Sequence, residues 1–230
     1  MEGVLRNKRG EFASIKPKLL TDKPSDKLAE FIGIMLGDGN IWYQPGYYCV
    51  RVFGHIKNDR KYLLNFFNPL AYELFGLKFN IYEEVKYSKI SLVKYNKDLV
   101  YTLRKFGLRS GDKIKNGVDI PRWIFESKDY LRACIRGLID TDGSVVPITG
   151  RDYTYIWFSS ASEKLRRDFQ KAMKILGYKI AKWNFTGTPK TYIGKKELLR
   201  KYYKEVNFSN LKHRKRFMLP YRSCSVVRSN

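Results

Sequence analysis

The chain has 230 residues, 43 % of them hydrophobic and 15 % aromatic, which is enough to bury a core and excludes a disordered tail. Lys and Arg outnumber Asp and Glu 45 to 22, giving a formal net charge of +23 that calls for a polyanionic partner, and interleaved aromatics favour nucleic acid over an acidic membrane. Three scattered cysteines (Cys49, Cys134, Cys224) do not make a disulfide framework, and two histidines (His55, His213) do not make a zinc cluster.

No apolar run approaches the ~20 residues of a membrane span, and residues 1–10 lack the apolar segment of a signal peptide. The expectation is an intracellular protein, of cytoplasm, nucleoid or organelle, with no membrane partner. Residues 1–24 hold six Lys or Arg, three acids and two prolines, and read as a basic arm. Ser25-Asp26 then opens a short apolar helix ending in Phe31-Ile-Gly-Ile-Met-Leu-Gly-Asp-Gly39. Trp42-Tyr-Gln-Pro-Gly-Tyr-Tyr48 is a turn between extended pieces. Residues 47–53 alternate as a half-buried strand, with Tyr48, Val50 and Val52 on one face and Cys49, Arg51 and Phe53 on the other. An amphipathic helix over 58–67 is expected to kink or restart at Pro69 before Phe75-Gly76. Strands near 79–85 and 88–95 and a helix over 97–106, closed by Gly107, complete this unit, residues 25–107.

Residues 108–126, with Gly111, Asn116-Gly117 and Pro121, read as a linker. Ser127-Lys-Asp129 then opens a second apolar helix, ending in Ile135-Arg-Gly-Leu-Ile-Asp-Thr-Asp-Gly143, and the order repeats through 127–230. A strand over 151–159 sets Ile156 and Phe158 opposite Tyr155, Trp157 and Ser159. A helix over 163–176 is capped by Ser162 and ended by Gly177. Strands near 179–185 and 191–193 precede a basic helix over 195–206. Each unit thus reads α-β-β-α-β-β-α. The expected fold is a mixed α/β (α+β) protein of two pseudo-symmetric units packed through their motif helices, with antiparallel sheets forming a saddle.

The two Asp-Gly helix ends carry the chemistry. Asp38 and Asp142 lie 104 residues apart in the same apolar context. An aspartate at a helix C-terminus is disfavoured by roughly 0.3–1 kcal/mol. Two of them ~5 Å apart at an effective dielectric of ~20 would repel by roughly 3 kcal/mol. Divalent cations with hard oxygen ligands would remove both penalties. Gly33 and Gly37, with Gly137 and Thr141, put small residues four apart and allow the helices to approach closely. Gly39 and Gly143 fit the position just past a helix end, where φ is positive.

At these residues the chain resembles the LAGLIDADG homing endonucleases, in the single-chain form with two motif copies. The second copy, Gly137-Leu-Ile-Asp-Thr-Asp-Gly-Ser144, is close to that family's pattern; the first, Gly33-Ile-Met-Leu-Gly-Asp-Gly39, is looser, with Leu36 where the pattern has its first Asp. The resemblance covers about residues 28–220. It implies that Asp38 and Asp142 are catalytic and bind Mg²⁺ with the carbonyls of Gly37 and Thr141, with Mn²⁺ or Ca²⁺ as alternative occupants, and that each site cuts one DNA strand. It further implies a lysine near the attacking water of each unit. Lys113 and Lys215, 75 and 73 residues after the motif aspartates, occupy comparable positions, with Lys115 and Lys212 as close alternatives. His55 and Ser159 or Ser160 match water-network positions approximately, and Asp140 reads as structural.

Open sheet faces on either side of the seam would meet double-stranded DNA. Arg51 and His55 in the first unit, and Arg151, Tyr155, Trp157, Lys182 and Asn184 in the second, are the candidates for base edges. Lys86, Lys89, Lys94 and Lys190 are candidates for phosphate, and residues 195–228 add eleven Lys or Arg against two Glu. Because the units differ in sequence, the expected target is long and asymmetric, and the expected enzyme is a monomeric, intron-encoded, metal-dependent endodeoxyribonuclease. An RNA maturase that binds intron RNA, or a DNA-binding relative without catalysis, are the alternatives. The ending Arg228-Ser-Asn230, without a penultimate His, argues against an intein.

Overall fold

The computed structural model describes residues 20–148 and 153–223. The basic arm lies almost wholly outside them, as does the sequence beyond Ser223. Two helices form the centre. Helix α1 (Asp26–Gly37) starts where the Ser25 hydroxyl accepts the Leu28 N–H (3.1 Å), and Ser127 caps α6 (Lys128–Asp142) in the same way through Asp129 (3.1 Å).

The two helices touch backbone to backbone. A Cβ on Gly33 would run into the Cys134 carbonyl, one on Gly137 into the Glu30 carbonyl, and one on Gly37 into the Thr141 hydroxyl. Around this seam Phe31, Ile32, Ile34, Ile135, Leu138 and Ile139 are buried. Gly39 and Gly143 correct an expectation. Neither has a positive φ; Gly143 is extended at φ −97°. Both are glycines because a Cβ would strike the preceding helical turn, at Met35 and Ile139 respectively. The chain passes straight from helix into strand there.

In the first half, strands β1 (Gly39–Gln44), β2 (Tyr47–His55), β3 (Asn80–Glu84) and β4 (Lys89–Tyr95) form an antiparallel sheet in the order β1-β2-β4-β3. Val50, Val52, Ile90 and Leu92 point to the helices and are fully buried. Between β2 and β3 the helix runs on through Pro69: α2 (Ile56–Tyr62) and α3 (Asn68–Phe75) are joined by a π-helical stretch, Leu63–Phe67. The expected restart takes the form of Pro69 standing in the first turn of α3, after a wider turn in which the Asn68 N–H reaches back five residues to the Leu63 carbonyl. Helix α4 (Lys97–Lys105) closes this half. The following stretch contains a short helix α5 (Lys113–Asn116) and a 3₁₀ turn (Arg122–Glu126).

Among its described residues the second half has three regular strands: β5 (Gly143–Pro147), β6 (Thr154–Ser159) and β7 (Lys190–Ile193), in the order β5-β6-β7. Helices α7 (Glu163–Ile175) and α8 (Lys196–Glu205) cover them. The strand expected near 179–185 is not a regular one. Ala181 donates its N–H to the Tyr192 carbonyl, but its own carbonyl is taken by the Thr191 hydroxyl (2.8 Å), which interrupts the ladder, and pairing resumes only at the Asn184–Lys190 bridge. A further helix, α9 (Leu211–Ser223), was not expected. Its buried positions, His213 and Phe217, are one turn apart but hidden among Lys212, Arg214, Lys215 and Arg216.

Candidate active site and nucleic-acid face

Asp38 caps α1 and Asp142 ends α6, so the seam brings the two motif aspartates together. The point where a Cβ would stand on Gly37 is 3.5 Å from the Asp142 carboxyl carbon. Burial pushes the Asp38 carboxyl up to about 6, with nearby Asp59 adding to the effect and Lys113 and Lys212 opposing it. Burial likewise pushes Asp142 up to about 7, assisted by Asp38 and opposed by Lys113. Two carboxyls are thus held in a desolvated mouth, where the Asp38 charge resists the ionisation of Asp142.

Lys113, from the short helix α5, reaches into this mouth. Its ammonium donates to the carbonyls of Leu36 (3.0 Å) and Gly37, the last of α1, where helix-dipole charge is most negative. Burial pulls Lys113 down to about 8 against the pull of both aspartates. Lys115 is exposed, with its backbone N–H bonded to the Asp112 side chain (3.1 Å). In the second unit, Lys212 is the lysine brought to the pair. Its Nζ donates to Asp59 Oδ1 (2.6 Å), and its charge is felt at Asp38. Lys215, one turn further along α9, is exposed.

His55 caps α2. Its Nδ1 accepts the Lys57 N–H (3.2 Å), while its own N–H goes to Asp59 Oδ2 (2.9 Å). Ser159 donates to the Asp142 carbonyl (3.2 Å), and the Ser160 hydroxyl accepts the Ser162 N–H (3.2 Å). These serines, with Gly37, Lys113, Asp142 and Thr188, line a cleft of about 220 Å³ beside the aspartates. The Thr141 hydroxyl turns back to the Gly137 carbonyl (2.9 Å).

The donor set suits a hard divalent cation. Two half-buried carboxyls are desolvated and bind protons more tightly than usual, so a cation that stayed with them would favour their charged form, and a protein ammonium already sits on the Gly37 carbonyl. A carbonyl has two lone pairs, so Gly37 can serve Lys113 and an ion together. Among the described residues no cluster of three or more His, Cys, Asp or Glu is placed to hold a metal. Any ion here would therefore complete its shell with backbone carbonyls, water or substrate.

Away from the seam, the two sheets turn one face to the helices and one outward. In the first half Arg51, His55 and Lys89 share the outward face, with Trp42, Gln44, Tyr47 and Tyr95 beside them. Trp42, Gln44, Tyr47 and Arg51 line a cleft of about 310 Å³. Sequence alternation over 39–44 held the signal for Trp42 and Gln44. Arg51 and Lys89 lie over Phe53, at 5.9 and 5.1 Å, and Lys86 is exposed in the 3₁₀ turn before β4. Lys94 pairs with Val50 and so falls on the helix-facing side, at the strand's end.

In the second half Tyr155 and Trp157 share the outward face with Tyr192. Tyr192 stacks on Tyr155 (4.6 Å) and tilts against Trp157 (4.6 Å), while Lys190 lies over Trp157 (5.7 Å). Gly194 makes room for this ridge, since a Cβ there would be 2.7 Å from the Tyr192 ring. Lys182 and Asn184 are exposed on the irregular segment, and Arg151 lies outside the described residues. No helix among the described residues is long and apolar enough to cross a membrane.

Residues 129–207 match the model of the LAGLIDADG-like domain family. A tRNA-splicing ligase, RtcB from Pyrococcus furiosus, is 25 % identical over 152 residues; the match takes in 60 % of this chain but only 15 % of that ligase's length. Among solved structures, the homing endonuclease I-DmoI in complex with DNA and Mn superposes with a TM-score of 0.58 at 15 % identity, over 79 % of this chain and 96 % of that one. The homing endonuclease I-WcaI bound to its DNA recognition sequence gives 0.51 at 12 % identity, over 85 % and 90 %. The N-terminal LAGLIDADG domain of DUF199/WhiA gives 0.53 at 15 % identity, over 81 % and 86 %. At these identities the structures speak for the fold. The second unit thus matches the LAGLIDADG-like domain family, and the described chain as a whole shares the LAGLIDADG fold, with two motif copies in a single chain.

Proposed function

We propose that the protein is a site-specific endonuclease that hydrolyses both strands of duplex DNA at a long asymmetric target, with Mg²⁺ or a related divalent cation at Asp38 and Asp142. The observation that carries this reading is the pair of desolvated carboxyls on facing helix ends, set between two outward-facing sheets. Asp38 and Asp142 would hold the ions, with the carbonyls of Gly37 and Thr141 as further oxygens. Bound there, a divalent cation neutralises charge on the phosphoryl oxygens and favours ionisation of water. Lys113, on the helix-end carbonyls, would hold or take a proton at the mouth, and Lys212, beside Asp59, would do so near Asp38. Arg51, Lys89, Tyr155, Trp157 and Lys190 would lie along the duplex. One chain with units 25–107 and 127–230, joined by 108–126, would act as a monomer within the cell, in keeping with an intron-encoded origin.

The test is cleavage of a randomised duplex library with Mg²⁺ and then with EDTA. Recovery of one long asymmetric site only with metal is the expected result; tight binding without cutting would sink the nuclease reading. A second reading rests on the Tyr155–Tyr192–Trp157 ridge, since aromatic surfaces suit unstacked bases. A maturase would prefer folded intron RNA over duplex DNA in direct competition.

A further inference from the structure

Asp140 stands two residues before Asp142 on the same helix yet is buried away from the seam's mouth, at 1 % exposure. Its Oδ2 accepts the backbone N–H groups of Ser209 (2.8 Å) and Asn210 (3.0 Å), and its carbonyl accepts the Asn210 side-chain amide (3.2 Å). These residues open α9: the Asn210 carbonyl accepts the first helical N–H groups, from His213 and Arg214, and its side chain accepts that of Lys212 (3.1 Å). A second tether runs through Ser209, whose hydroxyl donates to Glu30 (2.6 Å). Glu30 is in turn gripped by Arg136 at 2.9 and 2.5 Å.

The start of α9 is therefore pinned to the seam helices at two points, and the second residue of that helix is Lys212. Its ammonium crosses to the other unit and meets Asp59. Among the described residues the first unit has no such device: Leu36 occupies the place of Asp140, and Lys113 is held by helix-end carbonyls.

We propose that Asp140 is a positioning residue: by fixing the start of α9 it sets where the Lys212 ammonium stands beside Asp59 and Asp38, and so controls one of the two strand cuts. The control of a cut rests on the nuclease reading; the placement of Lys212 does not. The two are therefore tested by separate arms.

In the first arm, metal-free protein is treated with acetic anhydride and lysine labelling is followed by mass spectrometry. Asp140→Leu, which reproduces the first unit, and the milder Asp140→Asn should expose Lys212 to severalfold faster labelling, as should Asp59→Asn, with Lys113 unchanged. In the second, a supercoiled plasmid carrying the site recovered from the library is cut with Mg²⁺. Asp140→Leu should accumulate nicked circle, one cut slowing by roughly 10–100-fold and the other holding its rate. Asp140→Leu combined with Asp59→Asn should be no slower than the worse single variant, because both act through Lys212.

Unchanged Lys212 labelling in either Asp140 variant with a wild-type Tm overturns the placement, as equal slowing of both cuts overturns the control. If Asp140→Leu does not fold, Asp140→Asn carries both arms. A wild type that cuts nothing defeats the nuclease reading, and the labelling arm still decides the placement.

Discussion

The two units meet across a symmetric seam and diverge within one helical turn of it. Gly33 and Gly137 do the same work from opposite sides, each admitting the other helix's backbone. At the helix ends the solutions differ. The lysine after the first unit, Lys113, is a half-buried ammonium on two carbonyls, whereas the second's, Lys212, is half of a partly buried ion pair on a clamped helix. The outward faces differ as well, with a four-stranded sheet bearing Arg51 and Lys89 in one half and a three-stranded sheet with an aromatic ridge in the other. The lesson is that pseudo-symmetry is strict where backbone touches backbone and relaxed where side chains suffice.

The most forceful challenge to that comparison is to its symmetric part. Gly33→Val and Gly137→Val should each cost ~3 kcal/mol or more, since a carbonyl cannot yield as a side chain can, and thermal denaturation should show both to similar extents. A large effect from one alone would mean that the seam is not shared evenly. Next comes the chemistry. Asp38→Asn and Asp142→Asn should each lower double-strand cleavage by at least ~10²-fold while sparing binding, measured by plasmid linearisation and gel shift. Retained cutting of both strands would rule the site out.

A smaller effect separates the carboxyls from the fold they burden. Both bind protons more tightly in the folded chain, at about 6 and about 7, than their ordinary 3.8. Their contribution to stability is therefore full below pH 4 and is lost as pH rises through 6–7 without divalent cations. Asp142→Asn removes that loss. It should be more stable than wild type at pH 8 by about 2 kcal/mol, allowing for solvent screening, or roughly 4–8 °C in Tm, and indistinguishable from it at pH 4. The smallest effect distinguishes the two outward faces. Lys89→Ala and Lys190→Ala should each reduce the slope of log affinity against log salt by about 0.9 if each meets one phosphate, as fluorescence anisotropy would show.

Much of this was legible in the chain. Local chemistry announced the helix starts at Ser25, Ser127 and Ser162, the stops at Gly76 and Gly177, and the close approach of α1 and α6. The motif aspartates needed only their repetition to be found. What stayed hidden depended on distant partners. Nothing local says that the Thr191 hydroxyl will spoil a strand, or that a π turn will precede Pro69. Helix α9 was masked because its two buried positions sit among cations, and Asp59 gave no signal because its partner is 153 residues away. Lys215 matched the offset better, and Lys212 was the lysine that the packing of α9 turned inward.

The backbone contact between α1 and α6 also acts as a ruler. Side-chain packing can be retuned by a methylene here or there, but helices whose main chains already touch at Gly33 and Gly137 can come no closer, and Asp38 and Asp142 ride on their ends. On the reading proposed above, the stagger between the two cuts would then be a constant of the scaffold. Substitutions on the outward faces could move the protein to a new target without altering how far apart it cuts.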